Sequence, residues 1–470
     1  MKKTGSYLMF ITLVATLGGL LFGYDTAVIS GTVKYLRLNF IDPLQLAEAA
    51  ANSLEGFLVS SALIGCIIGG LIGGFLSNKF GRKNSLLFAA ALFIISALGS
   101  AFPEMGMGAG APVHEFLTPF VLFRILGGIG VGLASMLSPM YIAEIAPAER
   151  RGSLVSWNQF AIIFGMLVVY FVNYYIARSG DEQWITDTGW RMMFLSEVIP
   201  ASLLLILVSL VPKSPRWLMM KGLDDEAISV LKKVNCTNDV TKQVGEIKHS
   251  LKGVASSKLF AYGTGVVIVG LLIATFQQFI GINVVLYYAP EIFRGMGMST
   301  DAALFQTILV GIINLSFTVV AIFTVDRFGR RPLMMIGSAG MAISMFVLGT
   351  LFFTGSMGMG ALIAMLVYTA AFAMSWGPIC WVLLSEIFPN SIRSKAMALA
   401  VASQWIANYL VSWTFPMMDK NSFLVETFHN GFSYWVYGVM AVISAIIIWK
   451  FVPETKGKSL EQMEYLFKKK

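Results

Sequence analysis

A short basic motif occurs twice in this chain, half a chain length apart. NKFGRK at 78–83 returns as DRFGRR at 326–331, and each copy lies between two long apolar runs. A second pair keeps nearly the same spacing, with EIAPAERR at 144–151 matched by EIFPNSIR at 386–393. An internal repeat of this length in a strongly apolar chain predicts a bundle of membrane-spanning helices that was duplicated.

Composition agrees with this interpretation. The chain is 56% hydrophobic and only 13% charged, with a mean hydropathy of +0.73, whereas a soluble domain has about 25% charged residues. A soluble globular fold is therefore excluded. Because about 20 helical residues cross the hydrocarbon layer, we expect an all-α membrane protein of twelve transmembrane helices in two pseudo-symmetric six-helix bundles. The spans are expected at 7–30, 56–76, 86–103, 117–143, 153–177, 192–211, 259–290, 302–325, 396–418 and 430–449, with two more inside 332–385.

A polar stretch separates the two halves. We expect an N-terminal bundle at 1–212, a cytoplasmic linker at 213–258, and a C-terminal bundle with a short tail at 259–470. The segment DDEAISVLKKV, which starts at Asp224, has acidic residues first and basic residues last, a charge order that favours a short surface helix. The linker is therefore predicted to contain short helices, although a solvated linker without fixed structure is also compatible with its composition.

The basic residues predict the orientation. With both termini in the cytoplasm, the outer loops would hold only six Lys and Arg residues, and the others, apart from Arg124 within the membrane, would lie inside. We accordingly expect a multi-pass protein of the bacterial inner membrane in contact with lipid, not a nucleic-acid-binding protein, despite the net charge of +8. The first apolar segment continues as a full span, so no cleavable signal peptide is expected. The six outer basic residues are Lys34, Arg37, Arg178, Arg191, Arg294 and Lys420.

The repeated loops carry a matching set of charges in each half. Arg82 can reach Glu144 in the next inner loop, and Arg330 can reach Glu386 in the same way. Such clusters could hold the cytoplasmic side shut in one state and separate in another, which defines a cytoplasmic gate. The alternative is that these charges only enforce topology. The predicted gate residues are Arg82, Glu144, Arg151, Asp326, Arg330, Glu386 and Arg393.

Three spans carry a single ionisable residue each: Asp25, Arg124 and Glu197. A charge within a span costs about 3 kcal/mol on insertion scales, so such residues usually have a function. Asp25 and Arg124 belong to the same half and are natural partners. A carboxylate that responds to a neighbouring arginine and to solvent access can bind and release a proton. Glu197 could perturb or relay that proton, and the alternative is a purely structural ion pair.

The seventh span contains an unusual density of carboxamides. Gln277, Gln278 and Asn283 would point in different directions on an ideal helix, but Gly281 is placed to break the helix and let them converge. Carboxamides match a ligand rich in hydroxyl groups because each offers one donor and one acceptor group. Discontinuous helices are also where transporters place their substrate sites. The alternative is that these amides only join helices.

The tenth span offers a second break at Gly377–Pro378. Trp381 follows it, and its ring could lie against an apolar face of a ligand while its N–H donates to a ligand hydroxyl.

Several longer strings make a family resemblance visible. PKSPRWL, QQFIGINVVLYYAP and PETKGKSLEQ, together with the EIxP pairs, resemble the sugar porter family of the major facilitator superfamily over nearly the whole chain. GYDTAVISGT, NQFAIIFG, FAMSWGPICWVLLSEIFPN and NYLVSWTFPMMDKNS are similar to the branch that couples D-xylose import to protons. The resemblance implies the major facilitator fold, alternating access, and an Asp25–Arg124 pair that carries the proton.

The resemblance also implies a sugar site. Two positions depart from the family pattern: Asn78 stands where many sugar porters have Asp, and Met166 stands where xylose symporters typically have Gln. The second departure leaves both a pentose and a hexose open as the substrate. The residues that the resemblance places against the sugar are Gln159, Gln277, Gln278, Asn283, Trp381 and Gln404, with Phe22, Tyr287, Asn314, Gly377 and Trp405 as further lining.

Two classes of function compete. The first is a proton-coupled monosaccharide symporter that works as a monomer, on D-xylose or on a hexose. The second is a protein on the same fold that does not pump, either an equilibrative carrier or a sugar receptor. No enzyme, cofactor or metal site is expected, because the three histidines, His114, His249 and His429, lie outside the spans and form no nucleophile arrangement. The three cysteines, Cys66, Cys236 and Cys380, suggest neither a disulfide nor a metal site.

Overall fold

The computed structural model describes residues 2–106, 111–147, 150–235, 239–252, 259–260, 262–389 and 392–456. Regular structure in these residues is helical. The first six spans are formed by Lys2–Val28 (span 1), Glu48–Ala101 (spans 2 and 3), Leu117–Ile145 (span 4), Arg151–Ala177 (span 5), and Trp190–Leu195 with Val198–Leu210 (span 6). The last six are formed by Gly265–Phe279, Ile282–Tyr287 and Ala289–Gly295 (span 7), Thr300–Phe328 (span 8), Arg330–Phe353 (span 9), Met359–Met374 with Trp376–Ile387 (span 10), Arg393–Asp419 (span 11) and Phe432–Phe451 (span 12).

The prediction of twelve spans is confirmed. Ten helical segments of the described chain are long and apolar enough to cross a membrane. One of them, the 54-residue helix Glu48–Ala101, is two spans, because Gly81 (φ 86°, ψ 163°) interrupts it in a conformation that only glycine adopts readily. Gly329 (φ 91°, ψ 163°) makes the same turn between spans 8 and 9. The repeated basic motifs therefore form the same sharp turn in both halves. The helix Arg393–Asp419, span 11, is not among the ten segments and brings the number of spans to twelve.

The spans define two ends of the bundle. The end where span 1 begins and span 12 ends, which also carries Gly81 and Gly329, is called the terminal face. The other end, where spans 2 and 12 begin, is called the opposite face.

Glycines allow the closest helix contacts in the first half. A Cβ added to Gly128 of span 4 would lie 1.8 Å from the carbonyl oxygen of Ala62 in span 2, and one added to Gly65 would lie 2.0 Å from that of Ile125. Small residues at such crossings let two backbones approach and gain van der Waals contact, which is the main packing force available within lipid. The glycine pattern therefore holds span 2 against span 4 and, with it, Arg124 in place.

The two halves meet along three helix pairs: span 2 with span 11, span 5 with span 8, and span 1 with the middle piece of span 7. The indole of Trp413 donates to the carbonyl of Ser53 at 3.1 Å, and the hydroxyl of Tyr170 donates to that of Leu286 at 3.0 Å. These bonds lie in the middle of the bundle or toward the opposite face.

Both predicted helix breaks exist, one of them at a shifted position. Gly281 (φ 90°) separates the first two pieces of span 7, as expected. In span 10 the break falls at Ser375 (φ −128°, ψ −88°), not at Gly377–Pro378. Pro378 lies instead in the first turn of the following helix, where a residue without an N–H is tolerated.

The linker contains the expected short helices at Pro215–Met220, Asp224–Asn235 and Thr241–Lys252. Their apolar side chains form a small cluster separate from the main core, with Trp217, Leu218 and Leu231 buried in it. The helix that begins at Asp224 matches the prediction from its charge pattern. Residues 236–238, which include Cys236, and residues 253–258 of the predicted linker lie outside the described residues.

We predict that Gly128→Ala destabilises the protein, because the added methyl group would push span 4 away from Ala62. Overpacking of this kind costs about 1–3 kcal/mol, and a lower melting temperature of the purified protein would measure it. Gly70→Ala on span 2 is the matched control, since no atom lies within 4 Å of the added carbon. Equal melting temperatures for the two variants would show that the close crossing is not a packing requirement.

Candidate functional site

Four carboxamides come together between spans 7, 10 and 11: Gln277, Gln278, Asn283 and Gln404, named here the amide cluster. The side-chain nitrogen of Gln404 and that of Gln278 (3.4 Å) donate to Oε1 of Gln277. The nitrogen of Asn283 donates to Oε1 of Gln278 at 2.5 Å. Gln277 and Gln278 are consecutive residues of one helix, Asn283 follows the break in span 7, and Gln404 belongs to span 11. The fold therefore brings residues from three helices into one polar site.

The break at Gly281 is what lets the amides converge. The first piece of span 7 ends just before it, and the left-handed glycine turns the next piece so that Asn283 faces Gln278. The carbonyl of Ile280, which the break frees from helical pairing, accepts a bond from the hydroxyl of Tyr368 at 2.7 Å. A side chain at position 281 would collide with Tyr437, whose ring lies 2.7 Å from an added Cβ. The sequence-based expectation of a broken helix with converging amides agrees with this geometry.

Other predicted lining residues surround the amide cluster. The rings of Phe22 in span 1 and Trp405 in span 11 lie 5.5 Å apart between the two halves. The carbonyl of Gly377 lies 3.3 Å from the side-chain nitrogen of Gln277. Tyr287 is buried, and its hydroxyl accepts a bond from Asn408 at 3.4 Å. Trp405 and Tyr287 thus lie on the same spans as Gln404 and Asn283, and Gly377 contacts the amide cluster directly.

The remaining predicted residues are not bonded to the amide cluster in the described chain. Gln159 and Trp381 are half-buried, and Asn314 is buried with its Oδ1 lacking a hydrogen-bond partner among the described residues. Met166 is 6% exposed, and its backbone lies against Gly23 of span 1, where an added Cβ would be 3.1 Å from the Met166 nitrogen. Their assignment to the sugar therefore stays a prediction.

A fully buried ion pair lies in the first half. Nη1 of Arg124 in span 4 contacts Oδ1 of Asp25 in span 1 at 2.9 Å, with side-chain exposures of 1% and 0%. Nη2 of the same arginine lies 3.4 Å from the main-chain oxygen of Asp25, and its guanidinium lies 5.3 Å from the centre of the Phe194 ring. Oδ2 of Asp25 has no hydrogen-bond partner among the described residues. One oxygen of the Asp25 carboxylate is therefore bonded to Arg124, and the other accepts no hydrogen bond among the described residues.

Glu197 stands next to this pair. It occupies the junction between the two helical pieces of span 6 and is fully buried. Neither carboxylate oxygen accepts a hydrogen bond from a donor group of the described residues, and the side chain interacts with the carboxyl group of Asp25. Its main electrostatic neighbours are Asp25 and Arg124. The hydroxyl of Tyr24 lies 2.7 Å from that of Ser196 and ties span 1 to this junction. The three ionisable residues predicted within the spans are thus neighbours in space.

A third buried carboxylate was not predicted. Glu55 at the opposite face is only 2% exposed, and it contacts Lys420 after span 11 and Arg37 before span 2, each at 2.5 Å. The side chain of Asn52 also donates to the carbonyl of Lys420 at 3.1 Å. Because Lys420 belongs to the second half, these residues form an ionic contact between the halves, named here the opposite-face latch.

The charge clusters at the terminal face form within each half. Arg82 contacts Glu144 at 2.7 Å, and Arg330 contacts Glu386 at 2.9 Å, the pairs expected from the repeated loops. Arg393 donates instead to the carbonyl of Phe388 at 3.1 Å.

Two further gate residues behave differently from these pairs. Arg151 is exposed and makes no ion pair with Glu144 in the described chain, and the side chain of Asp326 lies outside the described residues.

Two hydroxyls complete these clusters and were missed. Ser214 donates to Glu144, and Thr455 donates to Glu386 at 2.5 Å. They occupy equivalent places in PKSPR and PETKG, so comparison of the two repeats with each other was the signal that could have found them. Asn408, by contrast, carries no such signal, because its role depends on which residue of span 7 faces it.

Comparison with known proteins gives the family. The sequence pattern described as "Sugar (and other) transporter" matches residues 11–467. The D-xylose-proton symporter of Escherichia coli strain K12 is 62% identical over 99% of this chain and 97% of its own length. A glucose facilitated diffusion protein of Zymomonas mobilis is 42% identical over 97% of both chains.

A solved structure agrees with the sequence match. The inward-open conformation of the E. coli xylose transporter aligns with a TM-score of 0.89 at 60% identity, covering 98% of this chain and all of that chain. The fold of twelve transmembrane helices fits this match. Neither an enzyme motif nor a metal cluster is expected from the sequence. The chain is a multi-pass membrane transporter that belongs to the sugar transporter family.

Proposed function

We propose that this protein imports a monosaccharide, D-xylose, together with a proton. The observation that carries the proton part is the buried Asp25–Arg124 pair, in which one carboxylate oxygen contacts arginine and the other has no partner among the described residues. An isolated structural pair would gain from satisfying both oxygens. A free oxygen on a buried carboxylate is a place where a proton can bind. The 62% identity to a D-xylose-proton symporter supports the same function.

The amide cluster is the proposed sugar site. Its three glutamines are buried and Asn283 is half-buried, so a sugar hydroxyl that displaces an amide contact must replace the lost hydrogen bond, and a mismatch costs about 1–3 kcal/mol. The Phe22–Trp405 pair offers an apolar surface next to the amides, which suits the C–H face of a pyranose. Gln159, Asn314 and Trp381 are proposed to join the site when sugar is present.

The proposed cycle is alternating access between two six-helix bundles, 1–212 and 259–470, joined by the linker 213–258. The proton binds Asp25 from outside and weakens its hold on Arg124. Sugar then binds at the amide cluster, the opposite-face latch closes, and the clusters at the terminal face separate from those of the other half. In this structure the latch is formed, and the Arg82–Glu144 and Arg330–Glu386 pairs lie within their own halves. This arrangement is the one expected when the site faces the terminal side.

The proposal assigns the terminal face to the cytoplasm of a bacterial inner membrane. Both termini then lie inside, together with the basic loops of the repeated motifs, in agreement with the positive-inside rule. A monomer suffices for this mechanism, because one chain contains both bundles and both sites.

An equilibrative carrier is the principal alternative. The Zymomonas mobilis relative is a facilitated diffusion protein, so uncoupled transport occurs among proteins 42% identical to this chain. The carboxylate of Asp25 favours coupling, because an uncoupled carrier has no need for a buried group that can titrate. A hexose:proton symporter is the second alternative, and it depends on the polarity of the site around Met166.

We predict that Asp25→Asn abolishes uphill sugar uptake and the alkalinisation of the medium that accompanies it. The amide mimics the protonated carboxyl permanently, so sugar binding and exchange down a gradient should remain. Uptake by vesicles with and without an uncoupler measures both. Asp301→Asn, in an exposed pair with Arg178, is the control and should leave coupling intact. Uncoupler-sensitive accumulation by Asp25→Asn would transfer the proton role to Glu197.

Selectivity is predicted to depend on position 166. A thioether cannot donate a hydrogen bond, so Met166→Gln should make the cavity more polar and change the ranking of pentoses against hexoses by about tenfold, the effect of one hydrogen bond. Competition of D-xylose, D-glucose, D-galactose and L-arabinose for binding measures this ranking. Met220→Gln, at an exposed position of the linker, should have no effect. An unchanged ranking in Met166→Gln would place residue 166 outside the site.

The opposite-face latch predicts a shift in conformation. Glu55→Gln removes the charge that holds Lys420, and because hydrogen bonds to charged groups contribute about 1.5–3 kcal/mol, the population open at the opposite face should rise tenfold or more. Spin labels on the exposed positions Leu46 and Phe423 would report longer distances between the halves.

Glu182→Gln is the matched control, because Glu182 pairs with Lys34 of its own half. Identical distance distributions for Glu55→Gln and the wild type would show that the ionic contact does not bias the equilibrium.

A further inference from the structure

Trp376 lies directly behind the amide cluster and does not belong to it. Its side chain is fully buried, and its indole N–H lies 2.8 Å from the hydroxyl of Ser338 and 3.2 Å from the carbonyl of Met334, both in span 9. The hydroxyl of Ser338 lies 3.0 Å from that of Ser444 in span 12. The indole is therefore anchored to two neighbouring spans by a buried chain of hydrogen bonds.

The anchored residue sits at the break in span 10. Ser375, the residue before it, has the non-helical conformation that separates the two pieces of the span. The hydroxyl of Ser375 donates to the carbonyl of Ala371 at 2.6 Å and leaves no room for a side chain at Gly337, where an added Cβ would lie 1.8 Å from it. The backbone that begins the second piece is thus fixed from behind by span 9.

The front of the same backbone faces the amide cluster. Nε2 of Gln277 lies 3.0 Å from the carbonyl oxygen of Trp376 and 3.3 Å from that of Gly377. A carbonyl oxygen only accepts, so the NH₂ end of the Gln277 amide must point toward span 10. Its Oε1 must then point into the amide cluster, where it accepts from Gln278 and Gln404.

We infer that Trp376 is a positioning residue that fixes Gln277 as a hydrogen-bond acceptor in the sugar site. The inference rests on the proposed function, because the group that would donate to Gln277 is a sugar hydroxyl. Turning the Gln277 amide around would place its oxygen against two carbonyl oxygens, which is electrostatically unfavourable as long as span 10 stays in place. The sugar hydroxyl that reaches Gln277 must therefore donate a hydrogen bond.

Fluorinated sugars test this polarity. Fluorine is similar in size to a hydroxyl but cannot donate a hydrogen bond, so one of the monodeoxyfluoro analogues of D-xylose should bind the wild type about tenfold or more weakly than D-xylose, the factor for one lost hydrogen bond. In Trp376→Phe the indole donor is lost, the backbone at the break is released, and the Gln277 amide can reorient. Discrimination against that analogue should fall at least threefold, and Ser338→Ala should reduce it in the same direction.

Isothermal titration of the purified full-length protein with D-xylose and the analogues gives these ratios. Trp449→Phe is the matched control, because Trp449 is 61% exposed and the same substitution there should change neither affinity nor discrimination. Gln277→Ala is the reference for complete loss of discrimination at this position.

The outcomes separate the two proposals. Discrimination that stays at the wild-type ratio in Trp376→Phe, even with weaker overall binding, would mean that Trp376 supports only stability, and this would overturn the inference. Should Trp376→Phe fail to fold, an unchanged ratio in Ser338→Ala overturns it in the same way. A wild type that does not bind D-xylose, or a Gln277→Ala variant with wild-type affinity and discrimination, would contradict the proposed function or its site instead.

Discussion

The ion pair between Asp25 and Arg124 is the constraint on which much of this structure depends. Two charges removed from water must stay paired, because either one left unpaired in the membrane interior would be strongly destabilising. Spans 1 and 4 are therefore held together by charge. Glycines let the backbones of spans 2 and 4 come into direct contact, and this packing fixes the position of Arg124. A rigid frame around one incompletely satisfied carboxylate is what a proton-binding site requires.

The functional residues of the second half lie at helix breaks, whereas those of the first half are a buried ion pair. Span 7 is interrupted at Gly281 and again at Tyr288, and span 10 is interrupted at Ser375. Side chains such as Tyr368 and Gln277 bond to the freed backbone. This is how irregular backbone is tolerated within a membrane, since every polar group needs an internal partner. The piece of span 7 that follows Gly281 packs against span 1, and Tyr287 at its end lies beside Thr26, the neighbour of Asp25. The proposed sugar and proton sites therefore share a helix contact through which each can bias the other.

The sequence predicted the parts that are local. Twelve apolar runs predict twelve spans. Gly281 indicates a helix break because it lies among amide residues. Asp25 and Arg124 are recognisable as functional candidates because charged residues are rare within a span. Contacts between the two halves could not be predicted in this way. Glu55 and Lys420 are 365 residues apart in sequence, and nothing near either one indicates the other. Trp376 looks like an ordinary apolar residue until Ser338 is seen beside it. The break at Ser375 was placed two residues late, because proline marks the first turn of a helix as well as the end of one.

The central claim is that sugar movement is tied to the movement of one proton. Purified protein in proteoliposomes with an imposed potential of 100 mV, negative inside, and equal pH on both sides tests it directly, by finding the D-xylose ratio at which net flux is zero. One proton gains about 2.3 kcal/mol over this potential, and since about 1.4 kcal/mol is a factor of ten, the account predicts roughly 40-fold accumulation inside. Zero net flux at equal concentrations would contradict it and identify the protein as an uncoupled carrier.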